Sequence, residues 1–155
     1  MKILLAIDRS QFSEEAVREV ARRPWPAGSE VKIISAVRAE FPQAAEPFFA
    51  ILSEKEKLLE IERKNAQFLV ERAAKTISEG DWGRDLQIVT EVIEGPAKHA
   101  ILAEAERWMP DLIVVGSHGY GALGRFFLGS VSFAVVTHAP CSVEIVRNRS
   151  LTPRD

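Results

Sequence analysis

The chain has 155 residues, of which 46% are hydrophobic and 27% are charged, and its net charge is −2. Such a length fits one globular domain that buries roughly 70% of the surface of its unfolded chain. The near-neutral charge excludes a global positive field that would attract nucleic acid or an anionic membrane. The single cysteine, Cys141, allows no internal disulfide, and no apolar run has the length of a signal-peptide core or a membrane span. We therefore expect a cytoplasmic protein that binds neither nucleic acid nor membrane.

The chain alternates between patterns typical of strands and patterns typical of helices. Runs rich in Val, Ile and Leu predict strands, and one run with a less buried face predicts an edge strand. Apolar residues at helical spacing, bounded by capping serines or by prolines, predict the helices between them. The predicted strands are 3–7, 31–37, 86–93 (the edge strand), 112–115 and Ser142–Val146. The predicted helices follow the candidate caps Ser10 and Ser13, run over 48–77, open at Gly95-Pro96 with the proline as first helical residue, and span Ser130–His138.

Strands joined by helical connections predict an α/β fold with one domain over 1–147, followed by a polar tail at 148–155. We expect a five-stranded parallel sheet in the order 3-2-1-4-5 with helices on both faces. Ligands of such sheets bind beyond the carboxyl ends of the strands, where the strand order reverses. In the expected order, Asp8 and Gly116 share that crevice although they are distant in sequence.

A glycine-rich segment follows the fourth predicted strand. Gly116 ends the strand where a side chain would obstruct a ligand, and Gly119 supplies a left-handed conformation or a close backbone approach. Gly129, Ser130 and Val131 open a helix, whose free N–H groups and dipole can hold an anion. The alternative is that these glycines only form turns and a helix cap. Their density, five within fourteen residues, favours a phosphate cradle.

The same segment contains a second motif, G-x-G-x-x-G over residues 119–124, with Glu144 twenty residues further on. We reject the dinucleotide-binding interpretation of this motif. The fingerprint should open a helix directly, whereas Gly129-Ser130 intervenes here. Glu144 also lies within a predicted strand rather than at its end, and no sequence remains for a second nucleotide-binding half.

The spacing Gly116-x2-Gly119-x9-Gly129-Ser130 resembles the nucleotide-binding pattern of the universal stress protein family. Residues 7–10, 95–97 and most of 116–147 are similar to the same family, so the resemblance covers essentially the whole chain. It implies a Rossmann-like fold similar to that of the adenine nucleotide alpha hydrolases, and a homodimer. In the branch of the family that carries the motif, it also implies binding of ATP, with Mg²⁺ as its companion ion.

Carried over position by position, the resemblance also implies which residues contact the nucleotide. Asp8 would lie near the ribose, the phosphates or a bound metal, and Ala36 would meet adenine through its backbone. The family often has histidine-valine where this chain has Ser35-Ala36, a change that preserves a backbone contact and alters the shape of the adenine pocket. The other implied contacts are to ribose and phosphates from Gly116 and Gly119, and to phosphates from Gly129, Ser130 and Val131.

Two alternatives stay open at this stage, and one further prediction concerns assembly. His118 either contacts phosphate or is a solvated loop residue. We interpret the protein as a regulatory ATP binder, with a ligand-free dimeric interaction platform and a slow ATPase using Asp8 with a metal as alternatives. The last strand, Ser142–Val146, would be an exposed edge, which predicts that it pairs with the same strand of a second chain in a homodimer.

Overall fold

The structure is a computed structural model that describes residues 1–38, 48–119 and 128–147, with side chains of the second helix described from residue 56 onward. The predicted tail at 148–155, like Gly121 and Gly124 of the rejected motif, lies outside the described residues. The strands are β1 (Lys2–Ala6), β2 (Glu30–Val37), β3 (Gln87–Glu94), β4 (Leu112–Gly116) and β5 (Ser142–Val146). The helices are α1 (Gln11–Arg22), α2 (Phe48–Ser78), α3 (Ala97–Trp108) and α4 (Ser130–His138), with a 3-10 turn at Gly83–Asp85.

The strands form a parallel sheet in the order β3-β2-β1-β4-β5, which confirms the predicted topology. At the centre of the sheet, Leu5 pairs with Ile33 on one side and with Val114 on the other. All three side chains are buried, as expected for strands that are covered on both faces. β3 lies at one edge, as its weaker pattern predicted, and its Val89 is 55% exposed.

The two faces of the sheet carry separate hydrophobic cores. On the α1–α2 face, residues of β1 and β2 pack against α1 and α2; buried members include Leu5, Ile33, Val20, Val70 and Ile77. On the α3–α4 face, the alternate residues of the same strands pack against the other two helices; buried members include Leu4, Ile34, Ile101, Ile113 and Val135. The alternation follows from the two-residue period of a strand.

The helix starts show how the loops are fixed. Ser10 is the N-cap of α1, and its side chain accepts a hydrogen bond from the backbone N–H of Ser13. Pro96 is the N-cap of α3 rather than its first helical residue, so the prediction was wrong by one position. Either position suits proline, because neither requires the missing N–H as a donor within the helix. Gly129 is the N-cap of α4.

The order of elements places three helix N-termini at one edge of the sheet. Because the strands are parallel, their carboxyl ends meet at that edge, and α1 and α3 each begin shortly after a strand ends. The start of α4 is held there by a hydrogen bond from the backbone N–H of Gly129 to the carbonyl of Ser117. The positive ends of these helix dipoles therefore border the point where the strand order reverses, between β1 and β4. Within the part of the chain that is described, no helix is long and apolar enough to cross a membrane.

Candidate nucleotide-binding site

Asp8 follows β1 and is held at the start of α1 by hydrogen bonds. Its Oδ1 accepts from the backbone N–H of Ser10 at 3.0 Å and from the hydroxyl of Ser13 at 2.7 Å. The Ser13 hydroxyl also accepts from the backbone N–H of Asp8 at 2.9 Å, and Ser13 is buried. The carboxylate is thus given one orientation before any ligand arrives.

The loop after β4 is attached to α1 and to β5. The backbone N–H of Ser117 donates to the carbonyl of Val146 at 2.8 Å. The hydroxyl of Ser10 donates to the carbonyl of His118 at 3.3 Å, and the His118 ring lies 5.1 Å from that of Phe12. The half-buried His118 therefore packs against α1, so it is not the freely solvated residue that one sequence interpretation allowed.

The first turn of α4 is fastened to the same loop. The backbone N–H of Gly129 donates to the carbonyl of Ser117 at 2.9 Å, and the buried hydroxyl of Ser132 donates to the carbonyl of Gly116 at 2.7 Å. Ser130 is exposed and Val131 is half-buried. The N–H groups of a first helical turn have no acceptor within the helix, so this turn can hold an anion beside the loop.

Two glycines of the motif allow close approach of the backbone. A Cβ added at Gly119 would lie 3.0 Å from Oδ2 of Asp8, and one added at Gly129 would lie 3.2 Å from Cα of His118. Among the described residues, the glycines with positive φ are Gly28 and Gly95. Gly119 is therefore needed for its lack of a side chain, and not for a left-handed conformation.

Gly116 is constrained by packing in addition to the reason that the sequence suggested. An added Cβ would lie 2.8 Å from the backbone carbonyl carbon of Phe12 and 2.9 Å from its oxygen. The start of α1 crosses the end of β4 too closely for any side chain. Gly116 is thus required first by helix packing, although it also lines the cleft described next.

A cleft opens on the α3–α4 face at the carboxyl edge of the sheet. Its apolar end is lined by Ile34 and Ala36 of β2 and by Ala97 and Ile101 of α3. Its other end is lined by polar groups and glycine backbone. Of the residues predicted from sequence, those that line the cleft are Asp8, Ala36, Gly116, His118, Gly119 and Val131. Those that are absent from its lining and belong to the start of α4 are Gly129 and Ser130.

Sequence reasoning missed several lining residues. Ser13 was identified only as a cap, and its bonds to Asp8 place it in the site. Ile34 stands two residues before Ala36, and Ala97 stands four before Ile101. These spacings put each pair on one face of a strand or a helix, a signal that could have extended the adenine pocket beyond Ala36.

A second and larger depression lies between α1 and α2. It is lined by Arg18 and Arg72, which could attract an anion. Both guanidinium groups are engaged with the same carboxylate, because Arg18 lies 3.7 Å and Arg72 lies 3.2 Å from Glu14. The cleft on the α3–α4 face is the better candidate, since it combines helix N-termini with an apolar end. Among the described residues, no group of three or more His, Cys, Asp and Glu could hold a metal by itself.

Comparison with known proteins identifies close relatives of the chain. It is 32% identical over 145 residues to a universal stress protein of Thermus aquaticus, covering 94% of this chain and 97% of that one. It is 31% identical over 148 residues to the universal stress protein MJ0531 of Methanocaldococcus jannaschii, covering 94% and 81%.

Solved structures share the fold. The universal stress protein UspA of Lactobacillus plantarum has a TM-score of 0.75 at 25% identity, covering 95% of this chain and 97% of that one. The hypothetical protein MJ0577 has a TM-score of 0.79 at 24% identity, covering 96% of each chain. A family member from Arabidopsis thaliana was solved with AMP bound; its TM-score is 0.55 at 19% identity, covering 100% and 97%. A universal stress protein in complex with cAMP has a TM-score of 0.54 at 23% identity, covering 94% and 95%.

The family model described as "Universal stress protein family" matches residues 1–147, nearly the whole chain. The chain belongs to the universal stress protein family.

Proposed function

We propose that the protein binds ATP, with Mg²⁺, in the cleft on the α3–α4 face and acts as a regulatory nucleotide-binding protein of the stress response. The observation that carries this proposal is the convergence of the oriented Asp8 carboxylate, Gly116 and Gly119, and the first turn of α4 on one cleft with an apolar end. A heterocyclic base suits the apolar end, and phosphates suit a helix N-terminus.

The two ends of the cleft would hold different parts of the nucleotide. Ile34, Ala36, Ala97 and Ile101 would enclose adenine, with the backbone of Ala36 giving it polar contact. The phosphates would lie against the first turn of α4, where Gly129, Ser130 and Val131 begin the helix, near Gly116 and Gly119. His118 would lie within reach of the phosphates. Family members solved with AMP and with cAMP support an adenine nucleotide as the ligand class.

The residues present fit a magnesium ion that arrives with the nucleotide. Mg²⁺ is usually held by one or two carboxylates together with phosphate oxygens, and it keeps several waters. Asp8 supplies one carboxylate, which Ser10 and Ser13 orient through its Oδ1. Bound Mg²⁺ would neutralise phosphate charge beside this carboxylate.

Calorimetric titration with ATP and Mg²⁺ tests the proposal, and a saturable heat at millimolar nucleotide or below is expected. Gly129→Val should abolish that heat while the far-ultraviolet circular dichroism stays that of the wild type, because the added side chain must displace the loop at His118. Gln87→Val, at an exposed position of β3, is the matched control and should bind as the wild type does. No detectable binding by the wild type would contradict the proposal.

The catalytic alternative is decided by phosphate release. We expect no release above background, because a regulatory binder needs no base to activate water. Steady-state release that Asp8→Ala abolishes would instead favour a slow ATPase. Binding of no nucleotide, combined with a stable dimer, would favour an interaction platform.

We also propose a homodimer formed through β5, in a cytoplasmic protein whose domain is 1–147 and whose tail is 148–155. β5 is an edge strand, and the neighbouring α4 carries Phe133 and Val136 at 62% and 48% exposure. Edge strands need a partner or a cover. Sedimentation at micromolar concentration should give the dimer mass, and Phe133→Asp should lower it. Phe68→Asp, on the exposed side of α2, should leave the mass unchanged, and a wild-type monomer would refute the dimer.

A further inference from the structure

A buried ion pair lies beneath the nucleotide cleft and plays no part in the contacts proposed above. The side chains of Lys32 on β2 and Glu104 on α3 are 7% and 4% exposed, and Nζ of Lys32 lies 2.6 Å from Oε1 of Glu104. Nζ also lies 2.5 Å from Oε2 of Glu91 on β3. Arg107 lies 2.6 Å from the other oxygen of Glu104 and 3.3 Å from Glu91. Burial opposes the charge of Lys32, but its hydrogen bonds to both glutamates prevail and raise its pKa.

The pair connects the same two elements that form the apolar end of the cleft. Lys32, Ile34 and Ala36 alternate along β2 and therefore share one face of the sheet. On α3, Glu104 lies about one helical turn beyond Ile101. The distance between β2 and α3 at the cleft thus depends on the position that α3 takes on the sheet at the ion pair, here called its seating.

Apolar packing specifies this seating weakly at the cleft. The buried side of α3 carries alanine at 100 and 105 and the aliphatic Ile101, and the bulky, half-buried Trp108 packs at the end of the helix remote from the cleft. Small side chains form shallow ridges, so neighbouring seatings of the helix differ little in packing energy. An ion pair in a dry interior depends steeply on distance and direction, and buried polar groups are known to select one arrangement among several.

We propose that the Lys32–Glu104 pair is a positioning device that fixes α3 on β2 and so sets the width of the adenine half of the cleft. The proposal rests on the proposed function for its effect on the nucleotide. Its effect on α3 is independent of any ligand. Lys32 and Glu104 are positioning residues, since they act on the base through Ile101 and Ile34.

The test replaces both partners with apolar residues of similar volume, Lys32→Met with Glu104→Leu. Such a replacement usually keeps a protein folded, whereas removing one partner leaves an uncompensated buried charge. The matched control is Lys75→Met with Glu79→Leu, a pair at the C-terminal end of α2 whose side chains are 73% and 66% exposed. Amide hydrogen exchange across α3 is measured without nucleotide, and the affinities for ATP and for tripolyphosphate are measured separately.

The double variant should stay folded, exchange its α3 amides faster and bind ATP about tenfold more weakly. Tripolyphosphate affinity should be unchanged, because the phosphate half of the cleft belongs to α4, and a general loss of structure would lower both affinities. The control should match the wild type in every measurement. A folded double variant with wild-type α3 exchange and wild-type ATP affinity would overturn the proposal.

Two further cases are distinguished: a double variant that does not fold, and a wild type that does not bind ATP. If the double variant does not fold, Glu91→Gln removes one of the negative charges paired with Lys32 while Glu104 remains, and the same exchange and affinity measurements decide with a smaller expected change. If the wild type binds no ATP, the proposed function fails. The exchange data then decide alone whether the pair holds α3 in place.

Discussion

The two faces of the sheet differ in how they are filled. On the α1–α2 face, large aliphatic side chains such as Leu5, Ile33 and Ile77 are fully buried between the sheet and its two covering helices. On the α3–α4 face, a charged pair is buried and the packing leaves a cleft with an apolar end at the carboxyl edge. The larger depression between α1 and α2 is instead bordered by the paired charges of Arg18, Arg72 and Glu14. The comparison shows how a small domain can separate two tasks. The α1–α2 face supplies much of the packing energy, and the α3–α4 face leaves space at its rim for a ligand site.

The largest expected effect comes from the α1–α2 face, which we call the filled face. Ile77→Ala should lower the free energy of unfolding by about 3 kcal/mol, since it removes buried methylenes and leaves a cavity. Nucleotide affinity of the folded variant should not change. Chemical denaturation measures the first quantity and calorimetry the second. Phe68→Ala, which is 67% exposed, is the control and should stay within about 0.5 kcal/mol. Weaker nucleotide binding by Ile77→Ala would mean that the faces are not independent.

Ser13 lies where the two faces meet, because it lines both the cleft and the depression between α1 and α2. Ser13→Ala removes both of its hydrogen bonds to Asp8 and should cost about 2 kcal/mol of stability. It should also weaken ATP binding about tenfold, because the carboxylate loses one of its donors. Ser78→Ala, exposed at the end of α2, is the control. Wild-type affinity for ATP in Ser13→Ala would contradict a role for the orientation of Asp8 in nucleotide binding.

Glu144 ties the filled face to the edge strand β5. Its two oxygens lie 2.7 and 2.8 Å from the two terminal nitrogens of Arg23, a forked arrangement that is only partly exposed. Glu144→Gln should lower stability by about 1 kcal/mol, and the loss should shrink at high salt. Glu60→Gln, in an exposed pair with Lys64, should show no measurable change. Equal results for the two variants in thermal unfolding would contradict a structural role of the fork.

The last expected effect concerns reactivity at the far end of the α3–α4 face. Cys141 packs against its core, and burial together with the negative charge of Asp111 raises the pKa of the thiol. Alkylation by iodoacetamide at mildly alkaline pH should be about tenfold slower than for the same chain in denaturant, because the thiolate is the reacting form. Equal rates in the two conditions would contradict the burial of the thiol at this end of the face.

Much of the fold could be predicted because its signals are local. Apolar runs predicted the strands, Ser10 and Gly129 marked helix starts, and the pattern of β3 indicated an edge. The contact of Phe12 with Gly116 could not be predicted, since the two residues are distant along the chain.

The side-chain partners were the part that could not be predicted. The Lys32–Glu104 pair joins residues 72 positions apart, and several other glutamates could have served as the partner. Sequence periodicity places a residue on a face of its element, but which residue it meets depends on how the elements pack.

The most direct test of the account is an amide NMR titration with ATP and Mg²⁺. We expect chemical-shift changes for the backbone amides of Asp8, Ala36 and residues 129–131, and no change for those of Val70 and Ile77 on the filled face. The account would be contradicted by a titration that leaves the cleft residues unchanged, or by one whose shifts gather in the depression between α1 and α2.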